Sequence, residues 1–349
     1  MRTTAAVVEA TGASFTLRER ELDGPGPGEM LVRVAASGIC HTDLVCRDQW
    51  IPVPLPAVLG HEGAGVVEAV GEGVTKVAPG DRVGMTFDSC GGCRSCLIGK
   101  PAYCHRFFEH NFAAPHFFGQ SSFATHSIAR ERNVVKLPDG IAAEVAAPFG
   151  CGLQTGAGAV LNTLAAPAGS SIAVFGTGSV GLAAVMAAVV AGCTTIVGVD
   201  VMPQRLALAR ELGATHVVDP TAGDAVDAVR AATGGGADFS LEATGSPEVL
   251  RSCVDCLAPL GECGVIGAPA FGTEVSLDVT TILTGGRVVR GVVEGDSVPE
   301  IFLPRLMELY LRGRFPADRL MTFYDFDEIE RAAHDAETGA SVKSVLRMS

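Results

Sequence analysis

The chain has 349 residues, a net charge of −13 and 48% apolar content against 19% charged residues. That length exceeds what one hydrophobic core usually serves, so two domains are expected, each with apolar residues enough for its own core. The acidic balance argues against nucleic acid or an anionic membrane surface as partner, and an odd count of eleven cysteines argues against a disulfide framework and toward metal or catalytic roles.

The opening segment, "MRTTAAVVEATGASFTLRER", has no apolar stretch behind a basic one, and the longest strongly apolar run, Leu182 to Ala191, is too short to span a bilayer. A cytoplasmic protein with no membrane partner is expected. Residues 30–150 are rich in Gly, Pro and Val, with short runs such as "EMLVRVAASG" and "GHEGAGVVEAVG" broken by turn signals at Pro79-Gly80-Asp81, which reads as a compact β-rich domain. Within it, "DSCGGCRSCLIGKPAYCHR" carries Cys90, Cys93, Cys96 and Cys104 in C-x2-C-x2-C-x7-C spacing. A tetrathiolate zinc site is one reading. An iron-sulfur cluster is another, because C-x2-C-x2-C also opens a ferredoxin pattern, although here the fourth cysteine lies seven residues on and no proline follows it.

Cys40 in "GICHTDL", His61 in "LGHEGAGVVEAVG" and Cys151 in "FGCGLQTGAGA" form a sulfur, nitrogen, sulfur ligand set, and three protein ligands leave one tetrahedral position open, as in a catalytic zinc site. Taken singly, each is equally an ordinary buried residue.

From Ser171 the texture changes to short apolar strands alternating with helical patterns: "SIAVFG", "VGLAAVMAAVVAG", "TTIVGVD", "MPQRLALARELGA", "HVVD", "ADFSLEATG" and "GECGVIGAP". Such alternation predicts βαβ units around a parallel sheet. "SIAVFGTGSVGLAAV" places Gly176, Gly178 and Gly181 in G-x-G-x-x-G spacing between strand and helix, the context of a dinucleotide site whose helix N-terminus receives the pyrophosphate. Asp200, nineteen residues past Gly181, supplies the carboxylate for the adenosine ribose hydroxyls and would repel a 2′-phosphate, which favours NAD. Arg205 nearby is a cation that could accept that phosphate. Near Gly295 the pattern turns to an amphipathic helix, "VPEIFLPRLMELYLRGRF", and a final "KSVLRM" strand that could return to the first domain. The layout is a nucleotide domain, residues 153–294, inserted in a β-rich domain of residues 1–152 and 295–349, with the cysteine lobe at 88–106. "RVVRGVVEG" reads as an exposed strand that could pair across a two-fold axis, so a homodimer or homotetramer is expected. Cys253 and Cys256, also in C-x2-C spacing, and Cys46, Cys193 and Cys263 read as buried thiols.

Together, "GHEGAGVVEAVG", "CHTD", "CGLQTGAGA" and the four-cysteine lobe resemble the zinc-dependent medium-chain alcohol dehydrogenases over essentially the whole chain. Within that family "FFGQSSFATHSIARERN" and "GVVEGDSVPEIFLPRLMELYLRGRFP" are most similar to the bacterial aryl-alcohol (benzyl alcohol) dehydrogenases. The resemblance implies an α/β protein with a GroES-like catalytic domain, a Rossmann doubly wound domain that binds NAD, and two zinc ions per subunit. Cys40, His61 and Cys151 would hold the catalytic zinc, with Glu62 an occasional ligand, and the four lobe cysteines the structural one. Thr42 would accept the substrate proton, and Asp43 would orient His61. His41 and Lys343 would meet the pyrophosphate, Thr155 and Val180 the nicotinamide, and Ile266 would complete the cofactor contacts. Trp50, Ile51, Phe87, Phe117, Phe118 and Ala268 fall at or near the family's substrate positions, an apolar aromatic lining suited to benzylic or allylic primary alcohols.

Two departures stand out. Val45 occupies the place of a relay histidine common in the family, and the connection from Cys104 to Phe117 is short. The expected function is reversible oxidation of an aromatic or allylic alcohol to the aldehyde. The alternatives are a terpene-alcohol dehydrogenase, a thiol-dependent formaldehyde dehydrogenase and an NADH-binding sensor without turnover.

Overall fold

A computed structural model describes residues 1–348 as two compact units. The first comprises Met1–Gly152, Ser297–Gly313 and the chain from Ala317 on, and the second Leu153–Asp296 with Arg314–Pro316.

The first unit is built on antiparallel pairing. Its principal sheet runs Met321–Asp325, Lys343–Arg347, Glu29–Gly38, Glu62–Val70, Arg82–Met85, Val134–Lys136, with His126–Arg130 also pairing Glu29–Gly38. Arg2–Val8 pairs on either side with Thr16–Glu21 and Ala57–Val58 in a separate three-stranded sheet. Glu29–Gly38 alternates, sending Met30, Val32 and Val34 into a core with Val67, Val83 and Met85 while Arg33 faces solvent. Two register points matter for the site. Gly38 lies opposite Glu62 on one side and Val345 on the other, so the strand ends carrying Cys40, His61 and Lys343 converge.

The second unit holds a six-stranded, all-parallel sheet in the order His216–Val218, Thr195–Val199, Ser171–Phe175, Ala237–Glu242, Leu257–Val265, Val288–Gly291. Numbered along the chain this is 3-2-1-4-5-6, the doubly wound order in which ligands sit beyond the carboxyl ends of the strands. The central strand, "SIAVF", is buried at every position because both faces are covered, so it shows no alternation. Three helices of this unit start where a side chain satisfies free N–H groups: Asp224, Ser246 and Asp278 each accept from the first turn they cap, whereas Gly178 leaves the first turn of Ser179–Ala191 without a side-chain cap. Among the described residues no helix is long and apolar enough to cross a membrane.

Candidate metal centres and dinucleotide site

Cys40 caps the short helix His41–Arg47, and the third residue of that helix, Asp43, folds its carboxylate back onto the Cys40 N–H at 2.9 Å. The other oxygen of this fully buried carboxylate accepts from the Gly60 N–H at 3.0 Å and faces Nδ1 of His61 at 2.9 Å. Asp43 therefore holds the loop before His61 and the ring itself, leaving Nε2 as the buried nitrogen without a partner. Ligand atoms of Cys40, His61, Glu62 and Cys151 all lie within 4.8 Å of one another. An orphaned imidazole nitrogen among two thiols and a carboxylate is a donor set that fits zinc.

Electrostatics follow from the same packing. Hydrogen bonding with Cys151 lowers the Cys40 thiol well below its usual range, against the effect of burial. Burial opposes charge on His61, yet Asp43 and Cys40 carry its pKa well above that of free imidazole. Burial pushes Glu62 up to about 7, with Lys343 pulling the other way.

Glu62 is where the structure adds most. Its carboxylate takes the Gly152 N–H at 3.0 Å and both oxygens lie within 2.7 Å of Lys343 Nζ. Lys343, expected at the pyrophosphate, is 2% exposed and also donates to the Ile39 carbonyl at 3.0 Å. This placement makes it the counter-charge of Glu62. Room for the carboxylate comes from Gly38, where a Cβ would lie 2.1 Å from Glu62 Oε2. Thr42 is half-buried, its hydroxyl 3.8 Å from the Cys40 sulfur, and His41 is exposed. Val45 is buried in the apolar core of this unit.

Phe118 and Phe117 pack on His61 with ring centroids 4.5 and 5.5 Å away, the first tilted and the second edge-on. Phe87 belongs to the same aromatic cluster through Phe107, and half-buried Ile51 packs against it. Trp50 is 62% exposed, and Ala268, in the other unit, is exposed. Gln120 was not anticipated. Fully buried, it accepts from the Gly63 N–H at 3.0 Å and donates to the carbonyls of His61 at 2.9 Å and Thr86 at 3.1 Å, clamping the backbone on either side of Glu62. Its signal in the sequence was only a lone amide after two phenylalanines in "FFGQSS".

In the lobe, sulfur–sulfur distances are 3.9 Å for Cys90–Cys96, 3.6 Å for Cys93–Cys96 and 4.0 Å for Cys93–Cys104. A tetrahedron with zinc–sulfur bonds of about 2.3 Å has edges of about 3.8 Å, so the four sulfurs fit that ion. Backbone N–H groups of Cys93 and Cys90 point at the sulfurs of Cys90 and Cys104 at 3.2 and 3.3 Å. Bonds from the N–H groups of Cys96 and His105 lower the Cys93 thiol to about 6, and backbone bonds also lower Cys90, whereas burial pushes Cys96 up to about 12 and raises Cys104. It is therefore the sulfur geometry and not the electrostatics that fits a metal. All eleven cysteines are free thiols.

In the second unit the loop after Ser171–Phe175 turns at Gly176, φ 89°, and the third glycine is obligatory: a Cβ on Gly181 would fall 1.8 Å from the Gly176 carbonyl oxygen. Gly178 caps the helix Ser179–Ala191, whose first turn includes half-buried Val180. Asp200 accepts from the Thr177 N–H and hydroxyl on one oxygen, at 2.7 and 3.1 Å, and from the Met202 N–H on the other at 2.9 Å. One lone pair of the second oxygen remains for a ribose hydroxyl. A Cβ on Gly178 would lie 4.0 Å from the guanidinium of Arg205, whose Nε is buried without a partner. Thr155 is buried in the same unit and Ile266 is half-buried, its N–H bonded to the Glu242 carbonyl at 2.9 Å.

Comparison with known proteins agrees with this architecture. The alcohol dehydrogenase GroES-like domain family matches residues 26–139 and the zinc-binding dehydrogenase family residues 179–311. A geraniol dehydrogenase of Castellaniella defragrans is 45% identical over 361 aligned residues, covering 98% of this chain and 96% of that protein. The crystal structure of benzyl alcohol dehydrogenase from Acinetobacter calcoaceticus superposes with a TM-score of 0.99 at 46% identity, covering 100% of both chains. That of an alcohol dehydrogenase zinc-binding domain protein from Burkholderia ambifaria gives 0.98 at 51% identity, covering 100% of this chain and 99% of that one.

Proposed function

We propose, for a chain that belongs to the zinc-binding medium-chain alcohol dehydrogenases, that its substrates are primary alcohols whose carbinol carbon adjoins an aromatic ring or a double bond, oxidised reversibly to aldehydes with NAD. The observation that carries the substrate class is the aromatic cluster on His61, with Phe117 and Phe118 packed on the imidazole. Benzyl alcohol and geraniol, named for two of the relatives, share that one chemical feature. Apolar contacts discriminate by only about 1–3 kcal/mol per methylene, so specificity within the class is expected to be broad.

Cys40, His61 and Cys151, with Glu62 in exchange, would hold one zinc, and Cys90, Cys93, Cys96 and Cys104 a second. Bound zinc supplies Lewis acidity that makes an alcohol easier to deprotonate, and bound NAD supplies the hydride acceptor. Thr42 takes the hydroxyl proton. Val45, apolar and buried, fills the usual relay position and cannot accept that proton, so the acceptor beyond Thr42 would have to be water or another group. Asp43 keeps a proton on Nδ1 of His61 so that Nε2 faces the ligand set. Asp200 selects the adenosine ribose of NAD, and Gly176, Gly178 and Gly181 let the pyrophosphate approach the helix Ser179–Ala191.

Initial rates of NADH formation with benzyl alcohol, geraniol, ethanol, and formaldehyde plus a thiol provide the test, each run with NAD and NADP and after chelation. Chelator-sensitive turnover of benzyl alcohol and geraniol, faster with NAD, is expected. Turnover confined to formaldehyde with thiol would move the protein to the formaldehyde branch, and NADH binding with no turnover would indicate a sensor.

Assembly into at least a homodimer belongs to the same reading. Val288–Gly291 forms the outer edge of the parallel sheet and is exposed at all four positions. The adjoining helix Val279–Gly285 buries no residue, leaving Val279 and Leu283 in solvent. An apolar edge of this kind templates pairing with a second copy. Val289→Lys is expected to shift the sedimenting species from a dimer or larger to a monomer near 35.9 kDa. A wild-type chain that already sediments as a monomer would refute the assembly.

A further inference from the structure

Two carboxylates are buried at the carboxyl edge of the parallel sheet besides Asp200, and they differ in what they hold. Glu242 ends Ala237–Glu242 and is consumed locally, by the N–H groups of Thr244 and Gly245 at 2.6 and 2.9 Å and the Thr244 hydroxyl at 2.5 Å. Glu294 follows Val288–Gly291, and two of its partners come from the other end of the unit's sequence. Oε2 receives the amide of Gln154 at 3.1 Å and the hydroxyl of Thr155 at 3.5 Å.

The backbone is bent to put it there. Glu294, Gly295 and Asp296 have φ of 48°, 63° and 53°, three successive left-handed residues of which two carry a Cβ. Such strain persists where surrounding contacts over-determine it, and it gathers at functional sites. The contacts are specific: Asn162 Nδ2 donates to the Gly295 carbonyl at 3.0 Å, and a Cβ on Gly295 would fall 2.3 Å from the Gln154 carbonyl oxygen. The turn is seated on the segment that carries Thr155.

We propose that Glu294 is a positioning residue for the nicotinamide half of the cofactor, fixing the Thr155 hydroxyl and, through its charge, favouring the oxidised, cationic ring over the reduced, neutral one. The inference rests on the NAD reading above, which sets Thr155 against the ring. A hydroxyl that gives its proton to Glu294 presents lone pairs to whatever lies on its far side. A carboxylate in a buried, weakly screened setting discriminates between a ring of charge +1 and one of charge zero, whereas a defect in packing weakens both forms alike.

Equilibrium titration of the full-length, zinc-loaded protein tests this, following NADH fluorescence directly and NAD by displacement of NADH. Glu294→Gln keeps the shape and removes the charge. It is expected to weaken NAD binding about tenfold while NADH stays within about twofold, lowering the ratio of the two affinities. Glu294→Met, which also removes the charge, is expected to lower the same ratio severalfold, and it serves as the test if Glu294→Gln does not fold. An unchanged ratio in the folded variants would overturn the proposal and leave the NAD reading standing. Failure of the wild-type protein to bind either nucleotide would overturn both.

Discussion

Replacing His61 with alanine is expected to reduce kcat/KM for alcohol oxidation by at least about three orders of magnitude, because metal-based polarisation of the substrate contributes several kcal/mol and each 1.36 kcal/mol is tenfold in rate. Among the proposed ligands, His61 has its second ring nitrogen held from behind, by Asp43 at 2.9 Å. Its loss removes a donor and also leaves the buried Asp43 carboxylate without one of its three partners. Cys151→Ser, which hardly changes volume, is the control for damage caused only by the cavity at position 61. Zinc content measured beside the rates completes the argument. Wild type should carry two ions per chain and both variants one, since the lobe cysteines use none of the same atoms. Full zinc content and full activity in Cys151→Ser would disprove the ligand assignment.

Lys343→Met is expected to lower stability by about 3–5 kcal/mol, the usual result of leaving one member of a buried ion pair uncompensated. Both side chains are at most 1% exposed, with Nζ 2.6 Å from Glu62 Oε2. Lys343 also satisfies the Ile39 carbonyl, so the substitution strands a second acceptor. Adding Glu62→Gln is expected to restore much of the loss, because the double variant buries no unpaired charge. Urea unfolding of wild type, both single variants and the double variant gives the coupling energy directly. Additive effects across that cycle would show that the pair does not act as a unit. The surface pair Arg312–Glu308, at similar distance but exposed, supplies the contrast and should give under about 1 kcal/mol.

Much of the fold was readable without coordinates. Strand and helix positions between Ser171 and Ala270 follow from local periodicity, whereas the doubly wound order came through the resemblance, because the crossover from His216–Val218 to Ala237–Glu242 joins strands that are not neighbours and right-handedness alone does not place that reversal. The glycine loop was legible because each glycine answers a contact only a few residues away, as Gly181 does with the Gly176 carbonyl. The same holds for the lobe, where C-x2-C spacing turns the chain so that backbone N–H groups meet the sulfurs. Cys40, His61 and Cys151 were found through a resemblance and not through spacing, since nothing local links them.

What the sequence by itself determined is therefore short-range: the periods that make strands and helices, the glycines that permit close approach, the caps, and the cysteine knuckles, all set by sterics and hydrogen bonds within a few residues. The tertiary structure alone decided the rest. Lys343 meets Glu62 across 281 positions, Gln120 meets His61 across 59, and Glu294 meets Thr155 across 139. Each of these contacts depends on strand register and on which buried polar group finds a partner once water is excluded, and no local pattern encodes that choice.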